Sequence, residues 1–538
     1  MRRYFLVITL FFFASVLSAQ YFDMIPAGDP LLDDIRFLSL EAGITFLSFT
    51  PPLAPSELKN FLDLINEDDL SYPAKESYSR ILSRFSSGPN LVYSAGFFKA
   101  SISAETNLEG RIRFNDDVSW YPDNKFDYKP LLAFQVQFFL FDSVQLFIEP
   151  AIKLKPEPDF DNRPLSNIPF NFETEYWPLR SFAAFGGSWW NFQIGRDHLF
   201  WGTGHTGSMS FSNDSVFYDF ARLSLFSSVF KYSLIVNQIP LKLKENLFID
   251  APADWDAYEN RISVNRYLYI HRIDANLFNC LSLGSMEGII VNSPLELRYL
   301  NPFLIFHSIY AWNDYDVWQP GTGTNKDSSM TGSFFSFEIN WNIIKPLAIY
   351  GQFAMNELTL LNEFKDGKTN PNAMGFLTGI HFSHSFNKWG SVYFVEFIYT
   401  QPYLYILSSP FSSFIHRDYY FYLIGHSRDT ISLSAGAEFF NLNNTLSFKG
   451  SFSWIASGSH NKDGLKWDWK SDELAYNEST PTGTPEYKYI LSFNTEWKPL
   501  TWLSVKAGVT GIFSVNNNYI KGNTETGGQA SLAVGLHY

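Results

Sequence analysis

Residues 143–155 read SVQLFIEPAIKLK, and apolar positions alternate there with mostly polar ones. The apolar set is Val144, Leu146, Ile148, Pro150, Ile152 and Leu154, and the other set includes Gln145, Glu149, Lys153 and Lys155. A period of two is typical of a β-strand with one apolar and one polar face. The same alternation recurs in residues 108–115 and 491–498. The pattern predicts strands that separate an apolar environment from an aqueous one.

The amino-acid composition indicates what those environments are. The chain has 538 residues, including 54 Phe, 29 Tyr and 15 Trp, so 18% are aromatic while 17% are charged. A single soluble core rarely holds so many rings, yet no apolar run after residue 19 is long enough for a membrane helix. We therefore expect an all-β chain that forms a large transmembrane antiparallel β-barrel. The formal net charge of -14 argues against nucleic acid as a partner.

The first residues have the form of a secretory signal peptide. Met1-Arg2-Arg3 is basic, residues 4–16 are apolar, and Leu17-Ser18-Ala19 resembles a cleavage site. We assign residues 1–19 to the signal peptide and expect the mature chain in the bacterial outer membrane, surrounded by its lipids. The chain has one cysteine, Cys280, so no disulfide framework is expected.

Residues 91–538 alternate between strand-like segments, short turns and long polar stretches, and we assign them to the barrel. Lys-Pro-Leu recurs at 129–131, 345–347 and 498–500 and suggests tight turns, whereas the polar stretches after Asp316 and Ser457 suggest long loops. At about 25 residues per strand and connection, the roughly 450 residues after position 90 give about 16 to 18 strands. The chain ends in SLAVGLHY, a terminal strand of the kind that the barrel-assembly machinery is expected to recognise.

Residues 20–90 have a helical pattern instead. Asp29-Pro30, Pro55-Ser56 and Tyr72-Pro73 each precede an amphipathic stretch and have the form of helix starts. The apolar positions that follow would form a small bundle or pack on the barrel. We expect a small N-terminal periplasmic helical domain over residues 20–90, with a flexible exported leader as the alternative.

Residues 195–213, GRDHLFWGTGHTGSMSFSN, contain Gly202, Gly204 and Gly207 in the spacing G-x-G-x-x-G. A dinucleotide-binding turn needs a buried parallel strand before these glycines and a helix after them. The preceding residues alternate and no helical pattern follows. We interpret the three glycines, together with Gly195, as structural residues that let a loop fold closely against the barrel wall. No cofactor and no metal are expected.

The same segment resembles a signature of capsule-assembly outer-membrane proteins of the Wzi type, in which Gly-Arg-Asp is followed by Trp-Gly-x-Gly. Further stretches resemble motifs of that family in the same order: residues 24–44 with 50–62, then LELRYLNPFLIF (295–306), LAIYGQFAMNEL (347–358), and VEFIYTQPYLYI (395–406) with the later YLIGH. The resemblance implies an 18-stranded barrel with a periplasmic helical bundle. It also implies a lectin-like protein that binds exported capsular polysaccharide and helps attach or organise it at the cell surface.

Carbohydrate binding needs flat aromatic faces for the sugar rings and amide, carboxylate and guanidinium groups for the hydroxyls. Such groups are concentrated in the glycine-rich segment and in the stretch after residue 297. The predicted polysaccharide-binding residues are Arg196, Asp197, Trp201, His205, Arg298, Asn301, Trp312 and Asp314. The structural alternative is that barrels use the same residue types as interfacial girdles and as lumen ion pairs. Arg196 shares the lipid-facing parity of Ile194, so its strand should have left the membrane there, or a bulge changes the parity.

Three other functions compete with polysaccharide attachment. A passive porin or uptake channel would share the fold and the polar lumen, and a surface adhesin would act through the long loops. An enzyme is not expected, because the sequence has no G-x-S-x-G and no H-E-x-x-H motif. His384-Ser385 and Ser459-His460 are adjacent in sequence, and adjacent residues of a strand point to opposite faces.

Overall fold

The computed structural model describes most of the chain after residue 21. The described residues are 22–87, 91–120, 129–153, 165–168, 178–212, 217–242, 262–263, 265–306, 331–358, 371–407, 411–416, 422–461 and 478–538. The predicted signal peptide, residues 1–19, lies outside them. No helix among them is long and apolar enough to cross a membrane.

The described strands form one large antiparallel sheet that closes on itself. In chain order they are β1 (Leu91–Ala95), β2 (Phe98–Phe114), β3 (Leu132–Leu140), β4 (Val144–Glu149), β5 (Ala151–Ile152), β6 (Arg180–Gly186), β7 (Trp190–Asp197), β8 (Tyr218–Phe226), β9 (Phe230–Gln238), β10 (Leu241–Lys242), β11 (Ile262–Ser263), β12 (Arg266–Leu277), β13 (Leu281–Asn292), β14 (Thr331–Ile344), β15 (Leu347–Glu357), β16 (Ala373–Phe386), β17 (Trp389–Thr400), β18 (Ile415–His416), β19 (Tyr422–Leu423), β20 (Thr430–Asn441), β21 (Leu446–Ser457), β22 (Glu486–Leu500), β23 (Leu503–Val515) and β24 (Thr524–His537).

The barrel closes where β2 pairs with β24, from Glu105 opposite His537 to Phe114 opposite Gly528. Strand β5 continues β4 along β3, and β1 continues the line of β24 along the first residues of β2. The short pairs β10–β11 and β18–β19 lie in loops outside the main sheet. The wall therefore has eighteen antiparallel strands, and the expected large transmembrane barrel is confirmed.

Alternate residues of each strand face outwards and inwards as the sequence predicted. On β4, Leu146 and Ile148 are exposed on the outer surface, while Gln145 and Glu149 are buried on the lumen side. On β2, Ile112 is 65% exposed and outward-facing. This outer surface of exposed aliphatic and aromatic side chains is that of an outer-membrane barrel, in which lipid covers the wall.

Short turns lie at one end of the barrel, which in outer-membrane barrels is the periplasmic end. We call the opposite end of the barrel the outer end. Lys345-Pro346, Asp142-Ser143 and Asn443-Asn444 lie in such turns, as expected. Two of the expected turns were wrong. Residues 129–131 end the longer connection between β2 and β3, and residues 498–500 continue β22 up to a turn at 501–502, because the ladder to β23 resumes at Leu500 after a register shift.

Three N-terminal helices lie at this short-turn end: α1 (Leu31–Ala42), α2 (Pro55–Leu62) and α3 (Tyr72–Ser87). The carboxylate of Asp29 accepts a hydrogen bond from the backbone N–H of Leu31 at 2.9 Å, and α1 ends at Gly43, whose φ of 68° suits glycine. The apolar faces of the helices share one core with the inner barrel wall. Phe37 of α1, for example, packs edge-on against Phe440, with ring centroids 4.9 Å apart.

Residues 44–53, which we call the N-terminal insert, enter the lumen between α1 and α2. Arg222 of the barrel wall donates to the carbonyls of Thr50 and Pro52 at 3.3 and 2.5 Å. Lys231 donates to the Thr50 hydroxyl and forms an ion pair with Glu57 at 2.5 Å. These buried wall cations fix the insert inside the barrel, because unpaired they would carry a large desolvation cost.

The lumen has two different sides. A filled sector, bounded by β8–β17, contains an apolar core in which lumen-facing residues pack against loop residues. A polar sector, bounded by β20–β24 and β2, is lined by ion pairs such as Lys449–Glu438 at 2.9 Å and Lys506–Glu496 at 3.2 Å. The side chains of both lysines are about half exposed, at 52% and 48%. Water therefore reaches the inner wall of the polar sector.

We predict that charge is tolerated on one parity of β22 and not on the other. Phe493 faces lipid near the middle of the strand, so Phe493→Arg should lower the free energy of unfolding by about 2–4 kcal/mol. Ser492 faces the lumen beside Thr510, so Ser492→Arg should change it by less than about 1 kcal/mol. Urea unfolding of both variants in lipid bilayers measures the difference. Equal costs for the two substitutions would contradict the assigned parity.

Candidate functional site in the barrel lumen

The glycine-rich segment forms a loop inside the barrel. Strand β7 ends at Asp197, residues 198–212 turn into the lumen, and strand β8 begins at Tyr218. We call residues 198–212 the lumen loop. Its two arms are bridged by a hydrogen bond from the Trp201 N–H to the Phe211 carbonyl at 3.0 Å, and Gly202 N–H donates to Phe49 of the N-terminal insert at 2.9 Å. The loop and the insert thus meet inside the barrel.

The glycines of this loop lie where a side chain has no room. A Cβ on Gly202, whose φ is 137°, would lie 2.0 Å from the Gln352 amide nitrogen, and one on Gly204 would lie 2.3 Å from the Gly207 carbonyl. A Cβ on Gly207 would approach His426 to 2.7 Å, and one on Gly195, in strand β7 just before the loop, would lie 2.3 Å from a backbone oxygen of β6. The lumen loop therefore packs directly on the barrel wall and on the residues around His426.

The tip of the lumen loop is fixed by one buried carboxylate. Glu396 of β17 accepts hydrogen bonds from the backbone N–H groups of His205 and Thr206, both at 2.9 Å, and from the Thr206 hydroxyl. The Tyr350 hydroxyl also donates to it at 2.8 Å. The His205 ring stacks on Phe394 at 4.0 Å between centroids. A charge at the centre of several donors is held strongly in a dry interior.

Trp201 occupies the middle of the filled sector and has no exposed surface. Its ring packs edge-on against Phe211, and the guanidinium of Arg272 lies over it at 5.5 Å. Arg272 is itself paired with Asp274 at 2.7 Å and Glu338 at 2.9 Å. The arginine is therefore compensated in a buried position, and the indole covers the ion pairs from water.

A second loop includes residues 401–407 and 411–416 and covers the lumen loop on the side of the outer end. We call it the covering loop. The Tyr405 hydroxyl donates to the Met209 carbonyl at 2.8 Å. Arg266 of β12 donates to the carbonyls of Phe411 and Ile415, each at 2.8 Å, and to that of Ser413. Arg266 thereby ties this covering loop to the barrel wall.

The structure does not bring the predicted polysaccharide-binding residues together. Asp197 faces the lumen and pairs with Arg180 at 2.6 Å, and His205 and Trp201 lie in the lumen as described. Arg196 faces outwards at the outer end of β7, pairs with Asp219 at 2.7 Å and lies 3.6 Å from the centroid of the Phe217 ring. The ladder to β6 has no register shift there, so the outward parity inferred from the sequence holds.

Arg298 and Asn301 lie on the outside of the barrel. Residues 293–306, here called the outer-wall segment, pack on the outward-facing Tyr269 and Ile289. Arg298 pairs with Glu296 at 2.7 Å, Asn301 is exposed, and the Phe303 ring is 90% exposed. The predicted sites Trp312 and Asp314 lie outside the described residues.

Sequence reasoning missed the buried ion pairs of Arg272, Asp274 and Glu338 in the filled sector, although the sequence contained one signal for them. Arg272, Asp274 and Glu338 stand on the polar parity of alternating segments, and that parity faces the lumen. The alternation does not predict which wall residues meet inside the barrel, because that depends on how the sheet closes. Among the described residues, no group of three or more His, Cys, Asp or Glu side chains is placed to hold a metal ion.

Comparison with known proteins identifies the fold. No protein-family model and no curated protein matches the sequence. Among solved structures the chain is similar to Wzi, a carbohydrate-binding outer-membrane β-barrel involved in group 1 capsule assembly in Escherichia coli, with 12% identity and a TM-score of 0.58 over 95% of this chain and 98% of that one. It also matches the Pseudomonas aeruginosa proteins OccD3 (OpdP) and OpdQ, with 8% and 9% identity and TM-scores of 0.41 and 0.37, over 82% of this chain and 91% and 97% of theirs.

We predict that Glu396→Ala loosens the lumen loop. The substitution leaves two backbone N–H groups and the Tyr350 hydroxyl without their acceptor, each at a cost of about 1–3 kcal/mol if water does not replace it. The free energy of unfolding should fall by at least about 2 kcal/mol. Glu496→Ala is the control, because that carboxylate pairs with partly exposed lysines and should cost under about 1 kcal/mol. An equal loss of unfolding free energy in both variants would show that the Glu396 hydrogen bonds stabilise the protein no more than the Glu496 ion pairs do.

Proposed function

We propose that this outer-membrane barrel binds exported capsular or other surface polysaccharide and helps attach or organise it at the cell surface. The observation that carries the proposal is the filled lumen. The N-terminal insert, the lumen loop and the covering loop occupy the filled sector one above the other, and hydrogen bonds to the buried wall residues Arg222, Glu396 and Arg266 hold them there. A barrel built in this way suits a role at its surface better than free passage of solutes.

The polar sector is narrowed at its outer end too. Trp120 is fully buried there with Val118 against the lumen-facing Ile490 and Ile512. The Lys488 ammonium donates to the Ser119 hydroxyl at 2.8 Å, which fixes the same stretch. An uptake channel is the competing function, and it requires an open path through this sector.

The outer-wall segment provides accessible groups of the kind that sugars need. Phe303 presents a flat apolar ring, Asn301 an exposed amide, and Arg298 a partly exposed guanidinium. Trp201, in contrast, is enclosed by protein on all sides. Within the described part of the chain, we therefore assign polysaccharide contact to residues 298–303 and a supporting role to the lumen loop. Wzi, a carbohydrate-binding barrel of this fold, agrees with the proposal.

We predict that deleting the gene moves polysaccharide from the cells into the medium. The ratio of cell-associated to released polysaccharide should fall, and the wild-type gene should restore it. A gene with both Arg298→Ala and Asn301→Ala should restore it poorly, while Lys521→Ala, a change at the exposed turn between β23 and β24, should restore it fully. An unchanged ratio in the deletion strain would contradict the proposal.

We predict low ion conductance for the purified protein in planar bilayers, because both sectors are narrowed by packed residues. Trp120→Ala removes the largest side chain at the outer end of the polar sector and should increase the conductance. A large steady conductance of the wild-type protein would favour the uptake channel instead.

A further inference from the structure

Three polar side chains meet at the seam where the barrel closes. His537 of β24 lies directly opposite Glu105 of β2, and Ser504 of β23 lies opposite Gly535, two residues before His537. All three side chains are on the lumen-facing parity of their strands. They lie beside the short turn at 501–502, where the His537 N–H donates to the Trp502 carbonyl at 2.9 Å. Residues far apart in sequence thus become neighbours only through closure.

The contacts run in the order hydroxyl, imidazole, carboxylate. The Ser504 Oγ lies 3.0 Å from His537 Nε2, and His537 Nδ1 lies 3.8 Å from Glu105 Oε1. With the ring proton on Nδ1, the serine hydroxyl donates to Nε2. The imidazole–carboxylate distance is longer than a hydrogen bond, as is common in ligand-free catalytic sites. The order and the two ring nitrogens used are those of a serine–histidine–acid triad.

Close packing and a path to water accompany the three groups. A Cβ on Gly535 would lie 2.5 Å from Ser504 Oγ, 2.9 Å from Asn107 Oδ1 and 3.3 Å from His537 Nε2, so only glycine at this position lets the hydroxyl and the imidazole approach each other. The His537 side chain is 40% exposed. The next lumen-facing residue on β23, Lys506, is half exposed in the polar sector. A small hydrophilic molecule in the lumen therefore has access to the imidazole, next to which Ser504 is 5% exposed.

We propose that Ser504 and His537 are the catalytic residues of an acyl-transfer site, with Glu105 as a positioning residue. The site would hydrolyse small carboxylic esters of hydrophilic alcohols, because polar and charged side chains surround it. This activity does not depend on the polysaccharide proposal. The absence of known hydrolase motifs in the sequence does not bear on it, since a triad is defined by geometry and its members here come from three strands.

The reaction balances with water as the only co-reactant. Ser504 Oγ attacks the ester carbonyl carbon and its proton passes to His537 Nε2. The carbon–oxygen bond to the alcohol then breaks, and the proton is returned to the departing alcohol, which leaves the acyl group on Ser504. Water, deprotonated by His537, attacks this acyl group, and the carboxylic acid departs as Ser504 regains its proton.

Glu105 is held for its positioning role by two neighbours. Lys129 forms an ion pair with Glu105 Oε1 at 2.7 Å, and the Asn107 side chain is hydrogen-bonded to the same carboxylate. The carboxylate faces Nδ1, where it favours the tautomer with Nε2 free to accept and stabilises the imidazolium that forms. Lys129 is the charged group that competes with His537 for Glu105.

The first test is labelling of the folded protein with a fluorophosphonate probe, which reacts with activated serine hydroxyls. The wild-type protein should be labelled, Ser504→Ala should not, and His537→Ala should be labelled far more slowly. Ser531→Ala is the matched control, since Ser531 faces the same lumen on β24 beside Gly508 and Asn494. The unheated electrophoretic mobility of each variant reports whether the barrel has folded. No label on folded wild-type protein, or an undiminished label on Ser504→Ala, overturns the proposal.

The second test measures hydrolysis of p-nitrophenyl acetate by protein in lipid vesicles. His537→Ala should lower the rate by about 10²–10⁴-fold, the usual contribution of a general base. Glu105→Gln should lower the rate and move the acid limb of the pH–rate profile to lower pH, because a neutral amide no longer stabilises the imidazolium. A purely structural Glu105 would leave the shape of that profile unchanged, which would remove this residue from the site.

Discussion

The hydrogen-bonded ladder between β2 and β24 is the contact on which the remaining structure depends. Within a bilayer no water is present to satisfy backbone N–H and C=O groups, so a sheet that spans it has to close without an edge. Closure between Glu105–Phe114 and Gly528–His537 gives every wall strand two neighbours. Once the sheet is closed, the two-residue period gives each side chain a fixed environment, lipid or lumen. The exposed outer residues and the polar inner residues both follow from that constraint.

A barrel of eighteen strands encloses more space than its own inward side chains can fill. This chain fills one side of that space with polypeptide and leaves water on the other. The filling segments bring backbone polar groups into a dry interior, and buried wall residues compensate them: Arg222 for the N-terminal insert, Glu396 for the lumen loop and Arg266 for the covering loop. Each of these three charges would be costly alone, and each meets carbonyl or N–H groups that the inserted segment cannot satisfy itself. The charged wall and the inserted loops thus stabilise each other.

The two proposals concern different surfaces of the same barrel. Polysaccharide contact is assigned to the outer-wall segment at the outer end, where Asn301 and Phe303 are exposed. The acyl-transfer site is assigned to the seam near the short-turn end, where the polar sector admits water to His537. The filled sector lies between β8 and β17. It does not shield either of the two proposed sites from solvent. Binding at the outer end and hydrolysis at the seam are therefore independently testable properties.

The sequence alone determined the strands, their two faces, the helical start and the glycine-rich loop, since each depends on residues close together in the chain. The alternation at Val144–Ile152 and the helix start at Asp29-Pro30 were sufficient for those predictions. The turn at 498–500 was misplaced because turn position depends on the register with the next strand.

The candidate sites were beyond sequence reasoning for a related reason. Only closure and tilt of the sheet decide that Trp201 lies over Arg272, that Arg298 lies on the outer wall, and that Ser504 and Glu105 reach the same histidine. Contacts between strands hundreds of residues apart are a property of the tertiary structure, because local preferences fix which face a residue occupies and not which residue lies opposite.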